Sequence, residues 1–392
     1  MDHYYSNCLF VGNFFEEKSL AKYLHYSQLS MGNDTYEKNF ISILENISES
    51  LSCISFVPIP KFSHKFPFLF IKGKHLSKRK TTFDFLPFIN SRIFNFRNYI
   101  LNKSIKKKIK TNNPKFVFLS TYHMMPQIKY IKKKFPNIKT ILLLPDLPMI
   151  EISKLSPFAK IYMSKINKLF KKNINNVDLL LPITNQEISF IPFYKNKSMV
   201  YESYFDCASF DHFANIDKKK TILYAGSLNK NYGIMDLVSA FISANIHDYK
   251  LIICGNGNSQ SSIIEYSKEN DNIIYLGQIE HRQVLRLEKE SRIIVCPDSE
   301  KRECSFHSKY LEYLCSGTPI ISFYPHGAKK EYIEFLYLVE ENGGTLESAI
   351  KKAINADLEN MEQVASKAKH FMKTKKNLSS FAEELTKNLN EL

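Results

Sequence analysis

Short apolar runs, each stopped by turn or breaker residues, alternate with stretches of helical periodicity, and the pattern starts twice. In the first half the runs are Asn7–Gly12, Ile54–Pro58, Phe116–Ser120, Thr140–Leu144 and Asp178–Pro182, with helical stretches such as Tyr36–Asn46 and the Lys-rich Asn98–Lys110 between them. In the second half they are Thr221–Ala225, Lys250–Cys254, Ile273–Leu276, Ile293–Cys296 and Pro319–Phe323, separated by Gly233–Asn245, Ser259–Asn270, His281–Glu290 and Ser308–Cys315. Runs this short and this uniformly apolar read as parallel strands buried on both faces. Strands alternating with crossover helices predict an α/β protein with two doubly wound parallel-sheet domains. At 392 residues the chain also exceeds the ~250–300 that one core usually sustains. The expected division is a first domain over 1–205, a polar linker over 206–220, a second domain over 221–372 and a C-terminal helix over 373–392.

Charge separates the halves. Residues 1–200 carry 31 Lys+Arg against 12 Asp+Glu, and residues 201–392 carry 23 against 27. Residues 51–150 alone hold 20 basic and 2 acidic residues. A basic domain joined to a slightly acidic one implies a polyanionic partner for the first: nucleic acid, an anionic membrane surface or a diphosphate-bearing lipid. Nucleic acid is set aside because the aromatics of this half form no recognisable nucleic-acid-binding motif with its lysines. The stretch Ser156–Asn173 places Phe158, Ile161, Tyr162, Ile166, Leu169 and Phe170 on one face, with Lys160, Lys168, Lys171 and Lys172 largely off it. That pattern fits a basic amphipathic helix on a membrane and equally a core-packed helix with a solvated lysine side. No apolar run approaches the ~20 residues of a membrane-spanning helix, and the N-terminal stretch is not a signal peptide. The seven cysteines are scattered and never spaced C-x-x-C, so neither a disulfide framework nor a zinc site is expected. The expectation is a reduced, cytoplasmic protein associated peripherally with the inner face of the plasma membrane.

The most informative stretch is SFHSKYLEYLCSGTPII, residues 305–321. Ser308 can cap a helix whose Leu311, Leu314 and Cys315 face inward, and Gly317 and Pro319 end it before a strand. The N-terminus of such a helix offers free backbone N–H groups and a positive dipole end to a phosphate. Lys309 and Arg302 would add charge for a diphosphate. Glu312, one turn in, could accept a pair of sugar hydroxyls. A short packing helix with a solvated Glu and Lys would carry the same residues.

SKYLEYLCSGTPII resembles the donor-site segment of retaining glycosyltransferases of family 4, and other segments are similar in the same order: YAGSLNKNYG (224–233), LIICGNGN (251–258), IIYLGQI (273–279) and IIVCPD (293–298). LLLPDLPM (142–149) and DLLLPITNQE (178–187) resemble bacterial members that build capsular and other surface polysaccharides. The resemblance implies a GT-B fold: two Rossmann-like domains facing across a cleft, with a helical C-terminal tail. It implies a nucleotide-sugar donor, UDP-linked, on the second domain and an acceptor on the first, a lipid-linked saccharide. It implies ribose binding by Glu312 and diphosphate binding around Gly226 and by Ser308 and Lys309, with Arg302, Lys230, Gly12, Gly255, Gly277 and Phe306 completing the donor set. It also implies retention of anomeric configuration and no metal or other cofactor. Two departures stand out. Cys304 occupies the place, eight residues before Glu312, where many members carry a second glutamate. Ser227 and Tyr232 stand where Arg and Lys usually follow the first glycine, with Lys230 nearby.

His123 (STYHMMPQ) and Asp146 (LPDLP) each follow an apolar strand, at the edge where open α/β sheets bind ligands. With Lys309 they are the catalytic candidates, His123 and Asp146 to orient the acceptor hydroxyl or take its proton. Gly12 and Gly255 end strands, where glycine serves either a turn or the close approach of a ligand. The function expected is transfer of a sugar to a lipid-linked glycan. A GT-B sugar-nucleotide epimerase and a non-catalytic basic membrane- or nucleic-acid-binding protein are the alternatives.

Overall fold

The computed structural model describes residues 5–15, 31–56, 70–71, 73–89, 97–148, 157–298, 306–325, 327, 329–339 and 344–392. Arg302, Glu303 and Cys304 lie outside them, as do Val57 and Pro58 of the second expected strand. The chain forms two compact units, one of residues 1–203 with 378–392 and one of residues 204–377.

Unit 1 is built on β1 (Tyr5–Gly12), β2 (Ser48–Ser55), β4 (Lys74–Lys78), β5 (Thr81–Phe85), β7 (Phe116–Ser120), β8 (Lys139–Leu144), β9 (Leu179–Pro182) and β10 (Lys197–Ser198). These form one sheet in the order β10-β9-β8-β7-β1-β2-β5-β4, parallel except for the β4–β5 pair. Two short strands, β3 (Phe70–Ile71) and β6 (Phe88–Ile89), pair separately. Phe116–Ser120 is buried throughout, as its unbroken apolar run requires. β2 begins six residues before its expected start. Its sequence, SESLSCIS, hides a strand among serines, and the parallel pairing with β1 and β5 holds it there. The β4–β5 hairpin was not expected. Its edge strand is Lys-rich, which blunts an exposed edge and also erases the apolar signal.

The helices of this unit are α1 (Met31–Ile47), α2 (Arg97–Asn112), α3 (Met125–Lys134), α4 (Pro157–Asn173) and α5 (Asn185–Ser189). α3 lies between α2 and α4 and packs against both. Together α2, α3 and α4 contain fifteen Lys and Arg and no acidic residue. Leu101, Ile105, Ile109, Ile128, Ile131 and Phe170 point inward from this layer, while Lys106, Lys133, Lys168 and Lys171 are exposed. Of the apolar face expected on α4, Phe170 is core but Ile161 is exposed.

Unit 2 has six parallel strands: β11 (Lys219–Ala225), β12 (Lys250–Cys254), β13 (Ile273–Gly277), β14 (Ser291–Cys296), β15 (Ile320–Ser322) and β16 (Leu336–Leu338). Their order, β13-β12-β11-β14-β15-β16, is that of a dinucleotide-binding sheet, and it reverses direction between β11 and β14. The connecting helices are α6 (Ile234–Ala244), α7 (Gln260–Glu269), α8 (His281–Glu290), α9 (Lys309–Ser316), α10 (Lys330–Ile333), α11 (Leu346–Asn355) and α12 (Leu358–Lys375).

The segment 206–220 is not a free linker. Cys207–Phe213 forms a 3₁₀ helix of unit 2 that packs against α8, α9 and α12. Cys207 is disulfide-bonded to Cys315 of α9, with Cα atoms 5.0 Å apart. The expectation of wholly reduced cysteines is corrected at this pair, which tertiary packing joins across 108 residues.

The last helix, α13 (Leu378–Asn390), returns to unit 1 and packs on α1. It buries Phe381, Ala382, Leu385 and Leu389. Phe381 meets Tyr201 edge-on at 5.6 Å, and Tyr201 in turn packs on Tyr36 and Phe40 of α1. Phe381→Ala should therefore destabilise unit 1 by about 3–5 kcal/mol, read as a lower denaturation midpoint by tryptophan-free probes such as far-UV circular dichroism; an unchanged midpoint would contradict this packing.

Candidate functional site

In open α/β sheets ligands sit beyond the carboxyl ends of the strands, where strand order reverses. In unit 2 that place lies past Ala225 of β11 and Cys296 of β14. The loops there interlock. Gly226 and Leu228 donate N–H bonds to Cys254 O and Asn256 O, and Gly255 donates to Gly277 O. Lys230 N and Asn258 N bond the side chains of Asn258 and Asn229. Gly255 has φ +136°, and a Cβ there would lie 1.9 Å from Gly226 O. Its glycine is thus required by the neighbouring backbone. Gly226, Lys230, Gly255 and Gly277 are brought together as one scaffold at the sheet's edge, with the Lys230 side chain exposed.

α9 is fixed against this scaffold. The Tyr313 hydroxyl donates to Ala225 O at 2.7 Å, the Tyr310 hydroxyl meets Ser322 Oγ at 2.5 Å, and Ser308 stands at the N-cap. Phe306 is buried and stacked on Tyr332, ring centroids 5.8 Å apart. Its ring packs into the core of unit 2 just ahead of α9. Beside it His307 Nε2 lies 2.6 Å from Asp298 Oδ2, in the loop that follows β14.

The charged residues of α9 meet two residues of α8. Lys309 Nζ bonds Glu288 Oε1 at 3.1 Å and Glu312 Oε1, while His281 Nε2 lies 2.9 Å from Glu312 Oε2. Burial alone would raise the Glu312 carboxyl, but Lys309 and then His281 outweigh it and bring it down to about 2. Burial pulls the Lys309 ammonium down, and Glu288 and Glu312 more than offset this, so its net shift is upward. Glu312 is a fixed carboxylate, held by Lys309, His281 and Glu288, whose two oxygens are acceptors only. Lys309 is held by two carboxylates. Glu288, His281, Asp298 and His307 were not singled out in the sequence. Glu288 had left a signal: it shares the inward phase of Val284 and Leu285 on α8, where a hydrophobe is the rule.

Unit 1 presents its own polar edge. The Glu37 carboxyl sits against Gly12, where a Cβ would lie 2.1 Å from Oε2, and it accepts the Asn13 N–H at 2.6 Å. The absent side chain at Gly12 leaves room for this carboxyl. Burial first, opposed by bonds from Ser120 and Asn13, brings Glu37 up to about 7. Past β9, Thr184 caps α5 and Glu187 reaches back to Ile183 N at 2.9 Å, a capping-box spacing. Burial and the charge of Asp146 push Glu187 up to about 8. Asp146, past β8, is itself raised by burial. His123, past β7, is lowered to about 4 by burial and Arg97, so it is neutral at pH 7 and a weak base. No hydrogen bond joins His123 to Asp146. Among the described residues no group of three His, Cys, Asp or Glu could hold a metal ion.

With this geometry in place, the chain can be compared with known proteins. Residues 208–376 match the family "Glycosyl transferases group 1". The matched region spans nearly all of unit 2 and contains α8, α9 and the whole six-stranded sheet. No curated protein matches the chain. Among solved structures, a sucrose-phosphate synthase from Thermosynechococcus elongatus is similar over 98% of both chains, with TM-score 0.65 and 14% identity. A UDP-forming α,α-trehalose-phosphate synthase from Burkholderia xenovorans covers 98% of this chain and 99% of its own, at 0.66 and 11%. The E. coli trehalose-6-phosphate protein bound with UDP-2-fluoro glucose covers 99% of each, at 0.67 and 10%. The fold is GT-B, with two parallel-sheet α/β domains and a helical C-terminal region.

The buried carboxyls of unit 1 give a pH dependence. Both Glu37 and Glu187 ionise near 4.5 when unfolded but near 7 and 8 when folded. The folded unit therefore holds more protons in that window, and its stability falls as pH rises from about 4.5 to 8. Urea midpoints at pH 5 to 8 should show this decline, and Glu187→Gln should flatten its upper part; a rising or flat wild-type profile would contradict it.

Proposed function

We propose that this protein transfers a sugar from a UDP-linked donor to a lipid-diphosphate-linked saccharide, with retention, in the synthesis of a capsular or other surface polysaccharide. The observation that carries the donor side is α9, fixed by Tyr313 to the end of β11 with Glu312 ionised beside the strand-order reversal. Glu312 would accept the ribose hydroxyls, and the α9 N-terminus with Ser308 would face the diphosphate. Stabilising the departing diphosphate is the main catalytic requirement, and the exposed Lys230 is the cation best placed to join the helix dipole. Lys309 acts by fixing Glu312. No resident metal or organic cofactor enters the scheme.

The acceptor side falls to unit 1. Asp146, raised by burial, is a stronger candidate than His123 to take the acceptor's proton. The acid-free layer of α2, α3 and α4 supports attraction to an anionic membrane, at about 1 kcal/mol per well-placed Lys or Arg. Exposed Ile161 and Tyr99 on the same layer add apolar side chains that could enter the headgroup region. No helix among the described residues is long and apolar enough to cross a membrane, so the association would be peripheral, at the cytoplasmic face. The names of the similar solved proteins support a second reading, in which the acceptor is a soluble sugar phosphate.

Calorimetric titration with UDP, GDP and ADP tests the donor side: UDP should bind selectively and Glu312→Ala should weaken it at least about tenfold. A folded wild type that binds none of the three would overturn the donor reading. Sedimentation with anionic vesicles tests the acceptor side. Binding should fall with salt and with Lys133→Glu, Lys168→Glu and Lys171→Glu combined. Transfer to a soluble sugar phosphate without vesicles would favour the second reading, and UDP release from donor alone would favour an epimerase. Activity should survive EDTA.

A further inference from the structure

Glu288 is a fully buried carboxyl that the proposed chemistry does not use, and it occupies a position on α8 where an apolar residue would serve the fold. A buried acid in a hydrophobe's place costs stability unless its partners compensate. Its Oε1 accepts from Lys309 Nζ at 3.1 Å, its carboxyl is also hydrogen-bonded to that of Glu312, and its backbone oxygen accepts from the Thr318 hydroxyl at 2.7 Å. Lys309 Nζ also bonds Glu312 and lies 5.4 Å from the centre of the Tyr313 ring. Glu288 thus meets Glu312 from inside the unit and shares the Lys309 ammonium with it.

We propose that Glu288 is a positioning residue: from inside unit 2 it fixes the Lys309 ammonium and, through it, the orientation of the Glu312 carboxylate toward the nucleotide.

The ionisation state follows from the surroundings. Burial raises the Glu288 carboxyl, Lys309 opposes this and Glu312 adds to it, leaving it well above the usual carboxylate range. The other titratable groups around it are Cys254 on β12, Cys296 on β14 and Tyr313 on α9, all raised by burial and so uncharged at neutral pH. His281 completes the set from the first turn of α8. With Glu288 neutral, the Lys309–Glu312 pair carries no net charge. With Glu288 ionised, the cluster would carry a net negative charge beside a diphosphate. The neutral acid therefore accepts the lysine's hydrogen bond without adding repulsion, and an amide would do the same.

The proposal rests on the nucleotide reading, and the test separates the two. UDP affinity and the labelling rate of Lys309 by acetic anhydride, followed by peptide mass spectrometry, are measured on wild type, Glu288→Gln and Glu288→Ala. Glu288→Gln should keep UDP affinity within about threefold of wild type, whereas Glu288→Ala should lose about tenfold or more. Lys309 should be labelled slowly in wild type and Glu288→Gln, and about tenfold faster in Glu288→Ala. Should Glu288→Ala fail to fold, Glu288→Leu, which restores an apolar residue at this phase, takes its place in both measurements. A purely structural role would predict that Leu performs as well as Gln; equal UDP affinity and equal Lys309 labelling in those two variants overturn the proposal. If wild type binds no UDP the nucleotide reading fails, and the labelling comparison still decides whether Glu288 holds Lys309.

Discussion

An ammonium partly enclosed by protein is best met by charge nearby, because isolated charges are costly to bury. Lys309 meets this condition with Glu288 from one helix and Glu312 from its own. The requirement ties α8 to α9, and α9 is tied in turn to the end of β11 by Tyr313. The disulfide to Cys207 adds a third attachment two residues further along α9. A short helix of eight residues has little stability of its own. Its position at the sheet's edge is therefore set by these attachments, and the geometry around Glu312 inherits their precision.

Much of the architecture could be read from residue pattern alone, and where it could not the cause is specific. Phe116–Ser120, Lys250–Cys254 and His281–Glu290 occur with their expected bounds because burial on both faces, or on one helical stripe, leaves an unambiguous periodicity. The first six residues of β2 escaped because its serines mask the buried Leu51 and Cys53, and parallel partners on both sides hold the strand. The β4–β5 hairpin escaped because lysines occupy its edge. The chain's return to unit 1 at α13 was invisible, since an amphipathic helix does not say which sheet it will cover.

The site was legible in the same uneven way. α9 could be placed from its cap, its apolar phase and its terminating glycine, and Glu312 with it. The glycines could be found but not the atoms that crowd them: the Glu37 carboxyl at Gly12 and the Gly226 carbonyl at Gly255. Both facts depend on segments distant in sequence. Phe306 entered only through the family resemblance, and its stack on Tyr332 depends on a segment further along the chain. Lys309 presents the opposite lesson. Its charge suggested a phosphate, but two carboxylates reach it first.

The return of α13 to unit 1 also has a consequence for synthesis. A ribosome emits residues 1–203 well before residues 378–392, with the 174 residues of unit 2 between them. Until the last segment emerges, the surface of α1 and Tyr201 that Phe381, Leu385 and Leu389 will cover stays open to water. Unit 2 has all its strands and its site residues in one continuous stretch and can finish first. The usual order, in which the N-terminal domain folds before the next one, is thereby reversed for its final step. The basic unit completes last, and a chaperone that recognises exposed apolar surface would have the whole interval of unit 2 synthesis in which to find it.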